Sequence, residues 1–173
     1  MTTYGSIEEI SARPDGAGLR IGIVVARFNA RVADGLLSSC TTELTKLGVK
    51  KDDIKIVNVP GALELPLALQ KMAQSSRFEV LIALGAVIRG ETYHFEIVAG
   101  ESSRALIDLA IARGLALGNG ILTVENEAQA EARADPKRGD KGGDAARAAI
   151  ALAALKRDLA AKNPGAKKSG AAR

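Results

Sequence analysis

The sequence has little from which to build covalent, aromatic or redox machinery. Cys40 is the only cysteine in 173 residues, so no intrachain disulfide forms. That fits a reducing cytoplasm. Tryptophan is absent, and aromatic residues make up only 3% of the chain. The 47% of residues that are hydrophobic are therefore mainly Ala, Val, Ile and Leu. Small side chains of this kind favour close helix–sheet packing, or burial between subunits. No run approaches the ~20 consecutive apolar residues that a membrane helix needs. Residues 1–20 carry no apolar stretch of signal-peptide length. These absences predict a soluble cytoplasmic protein with no membrane partner.

A basic nucleic-acid-binding face is also missing. The formal charge is +4, but six basic residues lie between Lys156 and Arg173, against Asp158 alone. The body is near neutral, whereas a nucleic-acid binder carries a basic patch or stripe. The tail reads as a frayed, solvated helix end. A tail-driven RNA binder is the alternative, and no nucleic-acid partner is expected.

Short apolar runs alternate with helical stripes along the rest of the chain. Ile21–Ala26, Ile54–Val59, Val80–Ile88 and residues 120–124 read as strands. Ile21–Ala26 is a continuous run without polar alternation, as suits a parallel strand buried on both faces. Val32, Leu36, Cys40, Leu44 and Leu47 recur at helical spacing until Gly48. Leu65, Ala68, Leu69 and Met72 form a second stripe, with Pro66 tolerable only in a first turn. Residues 94–113 and 126–133 read as further helices. Residues 135–143 read as a polar loop. Residues 144–160 read as a last helix, with Ala148, Leu152, Leu155 and Leu159 on its apolar face. The pattern predicts an α/β fold: a three-layer αβα sandwich around a four-stranded parallel sheet. One domain over 19–160 is expected, with a flexible N-terminal arm over 1–18 and a basic, disordered tail over 161–173. The first strand–turn holds neither a Gly-rich dinucleotide fingerprint nor a phosphate loop of the nucleotide-hydrolase kind. No cofactor and no metal are expected.

Three unusual segments follow strands one, two and three. They are Arg27-Phe28-Asn29, Pro60-Gly61-Ala62-Leu63-Glu64 and Ile88-Arg89-Gly90-Glu91-Thr92-Tyr93-His94-Phe95. In open parallel sheets, ligands bind beyond the carboxyl ends of the strands. All three segments would line that edge.

His94 is the only histidine. Imidazole moves protons near neutral pH; the bland alternative is a helix-start ring that satisfies one hydrogen bond. Gly90-Glu91-Thr92 offers backbone N–H groups to an anion at a helix start, or else a Thr cap. Arg133, Lys137, Arg138 and Lys141 crowd one segment. Arginine suits a phosphate, although a solvated charged loop is the commoner outcome. Glu64 can accept hydrogen bonds from substrate hydroxyls, or complement a helix dipole. Phe28 can stack on a planar heterocycle, or plug the core. Together these residues suggest cofactor-free chemistry on a phosphorylated small molecule and a ring compound.

The strings Pro60-Gly61-Ala62-Leu63-Glu64-Leu65-Pro66, Gly85-Ala86-Val87-Ile88-Arg89-Gly90-Glu91-Thr92-Tyr93-His94-Phe95 and Gly120-Ile121-Leu122-Thr123, with Gln129-Ala130 and Lys141-Gly142, resemble the 6,7-dimethyl-8-ribityllumazine synthase family. The resemblance runs in order from about Leu19 to Leu159. It implies a flavodoxin-like sandwich. It implies condensation of 5-amino-6-(D-ribitylamino)uracil with 3,4-dihydroxy-2-butanone 4-phosphate to the lumazine, phosphate and water, the penultimate step of riboflavin biosynthesis.

By the same resemblance, Phe28 stacks on the pyrimidine. Ala62, Leu63, Glu64, Ala86, Val87 and Ile88 hold the pyrimidine and its ribityl chain. Glu91, Thr92 and Arg133 bind the phosphate, and His94 transfers protons. The family places its sites between subunits of a homopentamer, and in some relatives twelve pentamers close into a capsid. Asn119 would reach a neighbour's site; many relatives carry an aromatic there, so in this chain stacking rests on Phe28. A catalytically weak, pyrimidine-binding scaffold of the same fold is the alternative reading.

Overall fold

The structure, a computed structural model, describes Ile10 and residues 14–161. Four parallel strands form one sheet in the order β2-β1-β3-β4, with β1 over Ile21–Ala26, β2 over Ile54–Val59, β3 over Val80–Ile88 and β4 over Ala116–Val124. β1 and β2 end together, Ala26 beside Val59, while β3 and β4 run on past Leu84, the partner of Val25, and end together, Ile88 beside Val124. The central strand β1 is buried throughout, as its uninterrupted apolar run requires. β2 lies at the outer edge, and Ile56 and Val57 remain exposed there.

Among the described residues, five α-helices cover the two faces. The helices are α1 (Ala30–Lys46), α2 (Leu65–Gln74), α3 (His94–Arg113), α4 (Glu127–Ala134) and α5 (Lys141–Ala161). Residues of α1, α4 and α5 share one buried cluster with Ile23, Val25, Ile82 and Leu84 of the sheet. Residues of α2 and α3 share a second cluster with Val24, Ala26, Leu81 and Ala83. Alternate residues of each central strand thus serve opposite layers. This is the αβα sandwich that the alternating pattern predicted, and it is consistent with a flavodoxin-like fold.

Helix ends follow local chemistry. α1 stops before Gly48, whose φ of +92° suits a residue without a Cβ. Pro66 occupies the first turn of α2, where its missing N–H costs nothing. The Asn126 side chain caps α4 by accepting from the Gln129 N–H at 2.9 Å.

Three details differ from the sequence reading. β4 begins at Ala116, not at residue 120. α5 begins at Lys141 rather than 144, with Gly142 and Gly143 buried in its first turn. Its buried face carries Ala145, Ala146, Ala149, Ile150, Ala153 and Ala154, whereas Ala148, Leu152 and Leu159 are exposed. The reason is close approach. A Cβ on Gly120 would lie 3.2 Å from the Ala145 Cβ, and one on Gly118 would lie 3.1 Å from the Ala149 Cβ. Only small side chains fit between α5 and β4, so the leucines turn outward.

Of the arm expected over residues 1–18, the Gly16 N–H is seen to bond the Leu47 carbonyl at 2.8 Å. Residues 1–9 and 11–13, and the tail from 162 to 173, lie outside the described residues. No helix among the described residues is long and apolar enough to cross a membrane.

Candidate functional site

The ends of β1, β2 and β3 open into a cavity of about 370 Å³. Phe28 and Asn29 enter it from the β1–α1 turn. Gly61, Ala62, Leu63 and Glu64 enter from the turn after β2. Ala86, Val87 and Ile88 come from the end of β3. Gly90, Thr92 and His94 come from the segment that leads into α3, with Phe95 and Val98 behind them. One edge of the sheet therefore brings together nine of the twelve residues singled out from the sequence. Glu91, Asn119 and Arg133 do not line this cavity.

Several bland alternatives lose their ground here. Phe28 is 86% exposed, so its ring is no core plug and presents a bare face at the cavity. Thr92 does not cap α3; the cap position is Tyr93, with no side-chain cap bond. Among the described residues, His94 makes no side-chain hydrogen bond within the chain. Glu64 has one local duty, since its Oε2 accepts the Gly61 N–H at 2.8 Å. That bond closes the turn after β2 and leaves the carboxylate exposed.

Asn29, Phe95 and Val98 were not assigned a role from the sequence. The Asn29 amide donates to the Ala86 carbonyl at 2.9 Å and ties the first turn to the end of β3. Position directly after a strand was the available signal for Asn29. Val98 follows His94 by one helical turn, a spacing that places both on the cavity side of α3.

The segment from Gly90 to Tyr93 has a distinctive backbone. None of its N–H groups donates to a chain acceptor among the described residues. Such donors before a helix suit an anion. Arg89 borders the segment. Its guanidinium bonds Glu96, pairs with Glu125 at 2.7 Å and lies 4.1 Å over the Phe95 ring. Glu96 holds Arg89 firmly in its charged form, aided by Glu125, and Arg89 in turn pulls the Glu96 carboxyl below the usual carboxylate range. Among the described residues, no group of three or more His, Cys, Asp or Glu side chains is placed to hold a metal ion.

Two residues expected to serve a ligand point elsewhere within the chain. The Asn119 Oδ1 accepts the Ile121 N–H at 3.0 Å on the outer edge of β4. The Arg133 side chain folds back onto the Gln129 carbonyl at 3.1 Å and stays exposed.

Comparison with known proteins adds an independent line. The model of the 6,7-dimethyl-8-ribityllumazine synthase family matches residues 18–157. Proteins named 6,7-dimethyl-8-ribityllumazine synthase from Nitrosomonas europaea and from an Azoarcus species are 56% and 52% identical to the chain. Each alignment covers 90% of this chain, with 92% and 97% of the respective relative. A protein of the same name from Leptothrix cholodnii is 54% identical over 87% of the chain and 95% of its own length. Matches of this extent span the whole sandwich and all three turns that build the cavity. The chain belongs to the 6,7-dimethyl-8-ribityllumazine synthase family.

Proposed function

We propose that this chain condenses 5-amino-6-(D-ribitylamino)uracil with 3,4-dihydroxy-2-butanone 4-phosphate, releasing 6,7-dimethyl-8-ribityllumazine, phosphate and water. The observation that carries the reading is the convergence on one cavity of an exposed Phe28, a His94 and a stretch over residues 90–92 whose side chain and backbone donors, respectively, have no partner among the described residues. Family membership names the reaction, and the cavity supplies the parts it needs.

The substrates bring their own reacting groups. The pyrimidine carries the amine and the butanone carries the carbonyl, so no lysine nucleophile is required. The exposed face of Phe28 takes the flat pyrimidine ring by offset stacking. Ala62 and Leu63, with Ala86, Val87 and Ile88, present backbone and small side chains to the ring edge and the ribityl chain. Glu64 accepts from ribityl hydroxyls. The N–H groups beside Glu91 and Thr92, with the Thr92 hydroxyl, receive the phosphate. His94, one turn of chain away, takes and returns protons as water and phosphate leave and the second ring closes. Holding two reactants in line contributes much of the acceleration, since orientation can be worth roughly 7–11 kcal/mol.

The site is completed by a second subunit in this reading. Arg133 lies outside the cavity of its own chain, yet a phosphate calls for a cation beyond Arg89, whose charge is already matched. Arg133 and Asn119 are read as reaching a neighbour's site in a homopentamer. Exposed Ile56 and Val57 on β2, and Ile107 and Ile111 on α3, give the apolar surface such an assembly would bury. Asn119 contributes no stacking and is occupied by the Ile121 N–H. The ring then rests on Phe28 alone. Capsid formation is a separate question for light scattering of the purified protein.

The test is a turnover assay with both purified substrates, read by the absorbance and fluorescence of the lumazine. Product that forms in the wild type and slows in His94→Ala supports the reading. Tight pyrimidine binding without product would replace it with the scaffold alternative, and would make Asn119 the first residue to change to an aromatic.

A further inference from the structure

We propose that Arg89 is a positioning residue: it holds the anion-binding segment 90–93 in place through Glu96, Glu125 and Phe95, and does not itself take the phosphate. The inference rests on the reading of that segment as the phosphate site.

The segment has almost nothing else to hold it. Its four N–H groups make no bond within the chain among the described residues. A Cβ added at Gly90 would meet nothing within 4 Å. Within it, the one backbone bond is the Tyr93 carbonyl accepting the Ile97 N–H at 3.5 Å, and residues 90–93 are exposed. Its two ends are a different matter. At the start, the Arg89 N–H donates to the Val124 carbonyl at 2.9 Å and continues the sheet by one bond. At the far end, the Arg89 side chain reaches Glu96 in the first turn of α3. Arg89 thus spans the whole segment with one residue, from strand end to helix start. The ion pair of its Nε with Glu125 at 2.7 Å adds a third anchor just beyond β4.

The geometry also assigns the charge. A phosphate ligand needs free positive charge, but Arg89 faces two carboxylates, so the trio carries one net negative charge. The planar face of the guanidinium is used as well, over the Phe95 ring. Phe95 lines the cavity, and its orientation is therefore tied to the same group. Glu96 depends on Arg89 in return. Its Oε2 is shut off from solvent with no partner among the described residues, so Arg89 is its main source of compensation. An arginine can satisfy two carboxylates and a ring at once because its fork is planar and rigid. A lysine at the same place cannot.

The two roles predict opposite results for one near-isosteric change. If Arg89 positions the segment, Glu96→Gln loosens the brace and weakens phosphate binding. If Arg89 were a phosphate ligand, Glu96→Gln would free its charge and strengthen binding. The experiment is steady-state kinetics on the assembled, full-length enzyme, with KM measured separately for each substrate and inorganic phosphate used as an inhibitor. Glu96→Gln and Arg89→Lys are expected to raise KM for the butanone phosphate and weaken phosphate inhibition by about 10-fold, since small misplacements of binding groups are costly. KM for the pyrimidine should stay within about twofold, because stacking and ribityl contacts come from other turns.

Unchanged or tighter phosphate binding in Glu96→Gln overturns the inference. So does full activity in Arg89→Lys. Should Arg89→Lys fail to fold, Glu96→Gln decides alone. Thr92→Ala separates the inference from its foundation. If Thr92→Ala leaves the phosphate KM unchanged, the segment is not the phosphate site. If Thr92→Ala raises it while Glu96→Gln does not, the site stands and the positioning role falls.

Discussion

The two faces of the sheet are built to different standards. The α1, α4 and α5 face is sealed by its own chain. Leu36, Cys40, Leu44 and Ile150 are completely buried there, and small side chains let α5 lie against β4. The α2 and α3 face buries a smaller set around Leu65, Leu69 and Leu106. It leaves Ile97, Ile107 and Ile111 exposed, the last at 77%. The cavity opens on this side, between the turns and the start of α3. One layer supplies the stability of the chain. The other carries the cavity and leaves apolar side chains exposed, the surface that the proposed assembly would bury.

The largest expected effect tests the closed face. Leu36→Ala should cost about 2–5 kcal/mol in denaturant unfolding, as expected when a fully buried leucine leaves a cavity. Ile111→Ala, under conditions that dissociate any assembly, should change stability by less than about 0.5 kcal/mol. An equal cost for both would break the comparison, because it would show that α3 already buries its outer side within one chain. At protein concentrations where the proposed assembly would persist, Ile111→Ala should show a concentration-dependent loss, since association stabilises a folded chain.

The open face should respond in activity rather than in stability. His94→Ala is expected to slow turnover about 10²-fold without abolishing it, the lower end of what a positioned acid–base group contributes. Its unfolding midpoint should stay at the wild-type value, because the side chain is exposed and bonds nothing within the described chain. A complete loss of turnover with intact substrate binding would mean that positioning contributes less than proposed. Phe28→Ala should be milder. Losing one stacking contact of about 0.5–1.5 kcal/mol raises the pyrimidine KM by roughly 2–13-fold. A shift in the phosphate-substrate KM instead would move Phe28 out of its assigned role.

The same contrast explains what could be read without a structure. The strands were legible as short apolar runs set between helical stripes, although β4 starts at Ala116 rather than at residue 120. α3 was legible over residues 94–113, the bounds it has in the structure, where Gly114 in the left-handed region closes it. α5 was misread in face and in starting point. Leucines normally mark the buried stripe, but here the alanines do, because the glycines of β4 draw the helix close. Gly142 and Gly143 looked like loop residues, and tertiary packing of their bare backbones overrode poor helix propensity. Phe28, Glu64 and His94 were picked out from their position after strands, and all three line the cavity. Arg89 stood in a quoted motif without a role, since its partners Glu96 and Glu125 meet only when β4 ends beside α3. Arg133 and Asn119 depend on a second subunit in the proposed assembly, and no single-chain pattern contains that geometry.

The smallest effect sharpens the comparison from inside the closed face. Cys40 is fully buried on α1, and its thiol is pushed up to about 12, first by burial and then by the negative charge of Asp140. Its folded pKa therefore lies above the unfolded value of about 8.5. The sign follows from proton counting. Below pH 8.5 both states keep the proton, and the contribution to stability is fully present. As pH rises toward the folded value, the unfolded chain releases the proton first and is stabilised relative to the fold, so stability falls. The slope approaches about 1.4 kcal/mol per pH unit for one thiol. Subtracting the alkaline unfolding profile of Cys40→Ala from that of the wild type isolates this term from other titrating groups. In parallel, a thiol reagent at pH 8 should leave native Cys40 unmodified and react promptly once the chain is unfolded. Rapid modification of the native protein would show that α1 opens away from the sheet. The face described as sealed would then be the mobile one, and the division of labour between the two layers would be reversed.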